Sequence, residues 1–400
     1  MPEKADIVII GGGVMGCAIA YNLAKEGLKP VVIEKSDIGG EASGSNGGGV
    51  RQSARNLKEM PLAMESIQIY GQLHEELGMD VEYVRKGNLR LCTNEEELET
   101  MRQAVINQRE VGLELTMLDR KQVLELKPYV GEKVIGASFC PTDGHVNPFL
   151  VTYAFFLKAK NLGARFYTHE EAREIRLQKS RVTAVVTDKH TFETDLVVNA
   201  AGVAGRKVAN MVGLDLPLRP IFSEAMITEA YPPLFEQMVG HARGLFYGRQ
   251  TAHGSFFWGG FVGTEQFIYR EGKPLFHYIG PTISQMVIDF FPVLKELNVI
   301  RMWSGLIAQM SDAIPVLGFT AEVPGFVFAT GFSGHGFGLG PVIGRLMSEL
   351  IMDCNTSIPI NDFCYSRFHT GAEHECSCKG NAACTTVTAV CPNKREWLKS

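Results

Sequence analysis

The residues best suited to chemistry stand at the start of the chain. Gly11-x-Gly13-x-x-Gly16 follows the apolar run DIVII (residues 6–10) and opens a stretch whose Ala18, Leu23 and Ala24 share one helical face. In that context the first glycine permits a tight turn, the second lets backbone amides approach a pyrophosphate, and the third lets helix and strand pack closely. The helix N-terminus then offers unpaired N–H groups and partial positive charge to phosphate. Glu34 ends a second strand, Pro30 to Glu34, about 20 residues further on, where a carboxylate accepts hydrogen bonds from both adenosine ribose hydroxyls and repels a 2′-phosphate. A Gly-rich turn beside a surface acid is the bland alternative. Strand, loop, helix, strand and acid in register outweigh it, although the pattern alone does not separate NAD from FAD.

A second cluster lies at the other end. Cys376-x-Cys378-x5-Cys384-x6-Cys391 is dense enough to enclose zinc or an iron–sulfur cluster, since thiolates select both. The spacing matches no known ligand pattern, and a loose thiol-rich tail is an equal alternative. Cys17, within the first helix, reads as a small packing residue.

These groups need a scaffold, and 400 residues with 45% hydrophobic and 21% charged content suit a two-domain globular protein. A net charge of −5 with scattered basic residues argues against nucleic acid or an anionic membrane as partner, and so for a small-molecule substrate. The short lead before the first strand leaves no room for a secretory signal, and no apolar run is long enough for a membrane span, so a cytoplasmic protein is expected. The first strand–helix–strand unit, the segments 181–202 and the segment 325–341 read as one sheet. Between them, Val81 to Cys140, with a helix over 95–110, and Pro220 to Trp303 read as an antiparallel-sheet domain inserted twice. The expected fold is therefore α/β (α+β, two domains). A Rossmann-like nucleotide domain takes 1–80, 141–219 and 304–365, a substrate domain takes 81–140 and 220–303, and the Cys-rich tail takes 366–400.

Glu34-Lys35, GGEASGSNGGGVR (39–51), DGHVNPF (143–149), VVNAAGVAG (197–205), RMWSGLIAQMSDAIPVLG (301–318) and GFSGHGFGLGP (331–341) resemble the D-amino-acid oxidase superfamily. They are most similar to the glycine and sarcosine oxidases and to the flavin-bearing beta subunits of proline dehydrogenases, opine oxidases and hydrogen cyanide synthase. The resemblance implies FAD, with a discontinuous cofactor domain and an antiparallel-sheet substrate domain. It implies a cofactor set of Gly11, Gly13, Val14, Met15, Gly16, Glu34, Lys35, Ser43, Ser45, Asn46, Gly47, Gly48, Ala200, Ala201, Gly202, Gly305, Gly331, Gly334, His335, Gly336, Phe337 and Gly338. In that family the loop at 334–336 precedes a helix whose amides face the pyrimidine edge of the flavin, where reduction places negative charge. For His335 a structural role outweighs acid–base catalysis, and His145 resembles a turn residue without chemistry.

The sequence departs from the family in three places. No cysteine stands near Trp303 to tether the flavin, so FAD should be non-covalent. The lysine and the arginine that hold substrate carboxylates in relatives are replaced by Gly338 and Ile307. A carboxylate still needs a cation, and Arg51 is the first candidate, with Arg249 weaker. The implied reaction is hydride transfer from a small, secondary amine or amino acid to flavin, giving an imine, in a chain that works with other subunits of an electron-transfer complex. The rival readings are a non-catalytic electron-relay or assembly subunit that holds FAD, and a nicotinamide dehydrogenase.

Overall fold

The structure, a computed structural model, describes residues 2–260 and 279–368. Its centre is a six-stranded sheet in the order Val316–Phe319, Phe326–Thr330, Val197–Asn199, Val8–Ile10, Val31–Ile33, Arg165–Tyr167. All neighbours are parallel except the antiparallel edge strand Val316–Phe319. Strands buried on both faces read as continuous apolar runs, which is why DIVII and PVVIE carry no alternation. Successive side chains serve opposite faces. Ile7, Ile9 and Val32 meet the helices Val14–Lys25, Met60–Leu77, Pro148–Asn161 and Gly340–Asp353. Val8, Ile10, Val31 and Ile33 meet a second layer through Ile175, Val182, Val185 and Phe192.

That second layer corrects one expectation. Arg181–Thr187 is not a strand of the central sheet; it belongs to a separate four-stranded sheet with Glu3–Lys4, Ala172–Gln178 and Thr191–Glu193. RVTAVVT alternates exposed and buried positions, as a sheet with one solvent face requires, whereas Val197–Asn199 is buried throughout and does join the centre.

An eight-stranded sheet stands over the nucleotide-binding layers, ordered Val299–Met310, Leu218–Ala230, Ser255–Gly260, Phe246–Gln250, Met238–His241, Asn88–Cys92, Gly136–Cys140, Thr116–Asp119. Every neighbouring pair is antiparallel except Met238–His241 with Asn88–Cys92. One face packs Leu89, Leu91, Phe246, Phe256 and Trp258 against the helix Ile279–Phe290. The other face looks toward the first helix and its glycine loop. The helix expected over 95–110 is Glu95–Glu110, capped by Asn94, whose side chain accepts from the Glu97 amide. No helix among the described residues is long and apolar enough to cross a membrane.

Candidate functional site

A cavity of about 550 Å3 runs from the glycine loop to the eight-stranded sheet. At its nucleotide end Gly11 has φ of 115°, and a Cβ there would fall 2.4 Å from the Ala200 carbonyl oxygen; a Cβ on Gly16 would fall 1.9 Å from the Gly11 oxygen. The first and third glycines are therefore fixed by turn geometry and by helix–strand contact, as the fingerprint requires. The amides of Gly13 and Met15 have no partner among the described residues, while Val14 N–H donates to Ser43 Oγ at 2.9 Å. Glu34 is 8% exposed; its Oε2 accepts from Gly12 N–H (2.7 Å) and its Oε1 from the Ser36 amide (2.8 Å) and hydroxyl (2.9 Å). Open amides at a helix N-terminus beside an anchored carboxylate fit the phosphates and ribose of a dinucleotide. The residues present thus fit FAD.

Of the expected cofactor set, Gly16 and Gly48 do not line the cavity, and the rest do. Gly16 is taken up by its contact with Gly11, and a Cβ on Gly48 would fall 2.0 Å from the Val146 oxygen. Asn46 lines the cavity but ties its own loop, donating to the Ala42 and Ser43 carbonyls and accepting from Gly48 N–H. The Trp303 indole donates to the Ser45 carbonyl at 2.9 Å, so this side chain fastens the loop from behind. Ala200, Ala201 and Gly202 follow the central strand Val197–Asn199. In the 331–338 stretch, Tyr70 Oη donates to the Phe337 carbonyl and Arg55 Nη2 to the His335 carbonyl, while the Gly336 and Phe337 amides stay unpartnered among the described residues. Cys17 is buried as a packing residue, its thiol pushed up by burial.

At the other end of the cavity lie four arginines: Arg51, Arg55, Arg90 and Arg243. Arg51 Nη1 donates to the carbonyls of Ser53 (2.6 Å) and Ala54 (2.9 Å). Burial lowers its pKa, and the negative charges of Asp143 and Glu59 counteract this. Ala54 is held at φ of 53°, a left-handed conformation that the Arg51 bond to its carbonyl and a Gln108 bond to its amide sustain. Asp143, fully buried, accepts from the Gln52 amide, the Ser53 amide and hydroxyl, and Asn88. Arg55 Nε donates to the Arg51 carbonyl, and burial together with Arg51 pushes the Arg55 guanidinium down to about 10.

Arg249 is not part of this lining. Its Nε donates to the Gly47 carbonyl at 2.6 Å and the side chain is 6% exposed, so it braces the glycine loop instead of facing a substrate. His335 does line the cavity. Its Nδ1 lies 3.4 Å from Glu59 Oε2, too poorly aligned for a hydrogen bond, and burial depresses its pKa. A neutral, loosely held ring agrees with a structural role. His145 lies outside the cavity in the short ladder Gly49–Val50 with Gly144–His145. Cys376, Cys378, Cys384 and Cys391 lie outside the described residues; among the described ones no group of His, Cys, Asp or Glu is placed to hold a metal.

Arg55, Arg90, Arg243 and Tyr247 line the cavity and Glu59 is buried behind it beside His335; sequence reasoning missed all five. Arg90 left a signal: an arginine between two leucines, on a strand whose leucines are core, marks a face built for charge. The departures at 338 and 307 also acquire a physical account. A Cβ on Gly338 would lie 2.9 Å from Arg55 Nη2, so Arg55 occupies the room that a longer side chain there would need, and Ile307 contributes an apolar wall.

Comparison with known proteins agrees with this geometry. Residues 6–350 match the family described as DAO, FAD dependent oxidoreductase. The mitochondrial dimethylglycine dehydrogenase of Mus musculus is 27% identical over 88% of this chain, and the match spans only 42% of that protein's length. A subunit of the opine oxidase of Rhizobium meliloti is 28% identical over 82% of this chain and 88% of its own. Among solved structures, an L-proline dehydrogenase from P. horikoshii superposes with a TM-score of 0.86 at 30% identity, covering 92% of this chain and 98% of the other.

Proposed function

The chain belongs to the DAO family of FAD-dependent oxidoreductases, and from that premise we propose that it oxidises the C–N single bond of a small, secondary amine or amino acid, as the flavin-bearing subunit of a dehydrogenase or oxidase complex. The observation that carries the reading is Arg51, a guanidinium held rigid by two backbone carbonyls inside the cavity that the glycine loop opens. No carboxylate among the described residues pairs with it, which suits the carboxylate of an amino acid. Gly338 and Ile307 add no second cation at the family's usual positions, and Ile307 offers an apolar wall to a substituent on nitrogen.

FAD, when bound, supplies the two-electron acceptor. The chain's own residues bind, orient and desolvate. Arg51 fixes the carboxylate and with it the direction of the α C–H bond. The surrounding guanidiniums disfavour an ammonium ion, so the amine enters neutral with its lone pair free. The α carbon then gives up a hydride equivalent, and water hydrolyses the resulting iminium to a carbonyl compound and an amine. No side-chain base is required, in keeping with the absence of a paired-carboxylate or Ser–His–Asp arrangement among the described lining residues. Non-covalent FAD is supported by the lack of a cysteine in the sequence around Trp303, and a heteromeric assembly by the opine oxidase relative, itself one component of a larger enzyme by its name.

The test is to mix purified protein anaerobically with a panel of secondary amines and amino acids and follow the yellow absorbance. At least one amine should bleach it. If dithionite bleaches the flavin and no amine does, an electron-relay subunit is the correct reading.

A further inference from the structure

The substrate end of the cavity holds more positive charge than one carboxylate requires. Across the eight-stranded sheet Ser138, Arg90, Gly240, Tyr247, Gly259 and Ala225 stand side by side in register. Residues paired across a ladder share a face. Leu89 and Leu91, one step off, belong to the core on the opposite side, which commits Arg90 to the cavity. Two members of the row are glycine. A Cβ on Gly240 would lie 3.5 Å from Arg90 Nη1, and one on Gly259 would lie 3.0 Å from the Tyr247 ring, so both side chains lie along the sheet over bare backbone.

Arg90 is weakly held. Its Nη1 reaches the His241 carbonyl at 3.3 Å, its Nε is buried without a partner, and its Nη2 has none among the described residues. No described carboxylate forms an ion pair with Arg90, Arg51 or the exposed Arg243 at the rim. The acids that line the cavity, Glu34, Glu41, Glu170 and Glu171, belong to its nucleotide end. Asp143 is the carboxylate whose charge acts on Arg90, and its oxygens are engaged by Gln52, Ser53 and Asn88; the buried Glu59 carboxylate acts on Arg51 and Arg55 instead. Burial, reinforced by the charge of Arg51, pushes Arg90 down to about 9 against the pull of Asp143. Arg90 is half-buried, and desolvating its guanidinium further without an anion is costly, a cost that a second anion on the ligand removes.

Building on the amine-oxidising reading, we propose that the substrate is an amine bearing two carboxylates, one held by Arg51 and the other by Arg90, with Arg243 at the rim. A substrate with one carboxylate would leave Arg90 uncompensated in the cavity.

The test uses the FAD-loaded protein and two unreactive ligands, thiodiacetate and (methylthio)acetate. They differ only by one carboxylate, and sulfur replaces the oxidisable nitrogen. Dissociation constants are read from the shift in flavin absorbance at neutral pH. Thiodiacetate should bind at least about tenfold tighter, as expected of one added charge-assisted pair. Arg90→Gln should bring the two within about threefold, chiefly by weakening thiodiacetate, and Arg90→Lys should keep part of the preference. Equal binding of the two ligands to the unmodified protein overturns the proposal, and that comparison needs no variant. So does an Arg90→Gln protein that keeps its FAD and weakens both ligands alike. Anaerobic bleaching separates the two readings. Sarcosine bleaching as fast as iminodiacetate refutes the second carboxylate and leaves amine oxidation standing. Tight thiodiacetate binding with no bleaching by any amine refutes amine oxidation and leaves the dianion site.

Discussion

Glu34→Gln probes the nucleotide end at nearly constant volume. The carboxylate accepts three hydrogen bonds from Gly12 and Ser36. A carboxylate offers about four acceptor sites, so capacity remains for a ribose hydroxyl. Glutamine has one oxygen, and its NH2 must face either the Gly12 amide or both Ser36 donors. Keeping the two Ser36 bonds sets the NH2 against Gly12 N–H and removes the charge that strengthens the rest. Hydrogen bonds to charged groups contribute about 1.5–3 kcal/mol each. Loss of one, with weakening of the ribose contact, comes to roughly 2–4 kcal/mol, or about thirty- to a thousandfold in FAD dissociation constant. Fluorescence quenching during titration of apoprotein with FAD measures it. FMN lacks the adenosine and serves as control: the variant should lose much less affinity for FMN, through the Gly12 contact alone. A loss for FAD under about threefold, or equal losses for the two flavins, would refute the assignment of Glu34 to the ribose.

Other outcomes follow from the same structure. Arg51→Ala should lower kcat/KM for the best amino-acid substrate by roughly 2 to 5 kcal/mol, about thirty- to several-thousandfold, with Arg51→Lys a partial rescue and FAD retained; a loss under about threefold would remove Arg51 from the site. Gly16→Ala drives a Cβ into the Gly11 carbonyl, so melting temperature and FAD content should fall together. Acid precipitation should release intact FAD, since no cysteine stands near Trp303, and flavin remaining on the denatured chain would refute non-covalent binding. For His145, burial first and Arg249 second lower the pKa from 6.5 to about 3. Between those values the unfolded chain binds a proton that the folded one refuses, so stability falls as pH drops below about 6.5, by up to about 1.4 kcal/mol per unit. His145→Gln should flatten the urea-denaturation profile over that interval, and an unchanged slope would place the titrating group elsewhere.

The parts of the site legible in sequence are those built locally. Gly11, Gly13, Gly16 and Glu34 are joined through one strand, one turn, one helix and a second strand, so their spacing alone encodes their geometry. The misplaced strand Arg181–Thr187 marks the limit: its apolar content says strand, but the sheet it joins depends on pairing with Ala172–Gln178 and Thr191–Glu193. Arg90 lies partly beyond that limit: its flanking leucines mark the face it stands on, but not what that face meets. Its orientation is set by Gly240, on a neighbouring strand that meets it only in three dimensions; its bond to the His241 carbonyl spans 151 residues of chain.

The two missing carboxylate anchors show the same principle from the other side. Read along the chain, Gly338 and Ile307 are positions without the family's cations, which puts a simple glycine or sarcosine substrate in doubt. In the fold, the room beside Gly338 is filled by the Arg55 guanidinium, which arrives from the loop after the glycine stretch and also donates to the His335 and Arg51 carbonyls. Positive charge in the cavity therefore comes from other elements: Arg51 and Arg55 from one loop, and Arg90 from a strand of the opposite sheet. Charge in a cavity is a property of the surface that several segments enclose. A motif comparison registers which positions lost a cation, and only the packing registers where another was gained. The cavity thus holds more guanidiniums than the anchors it lacks, and on that surplus rests the proposal of a second carboxylate on the substrate.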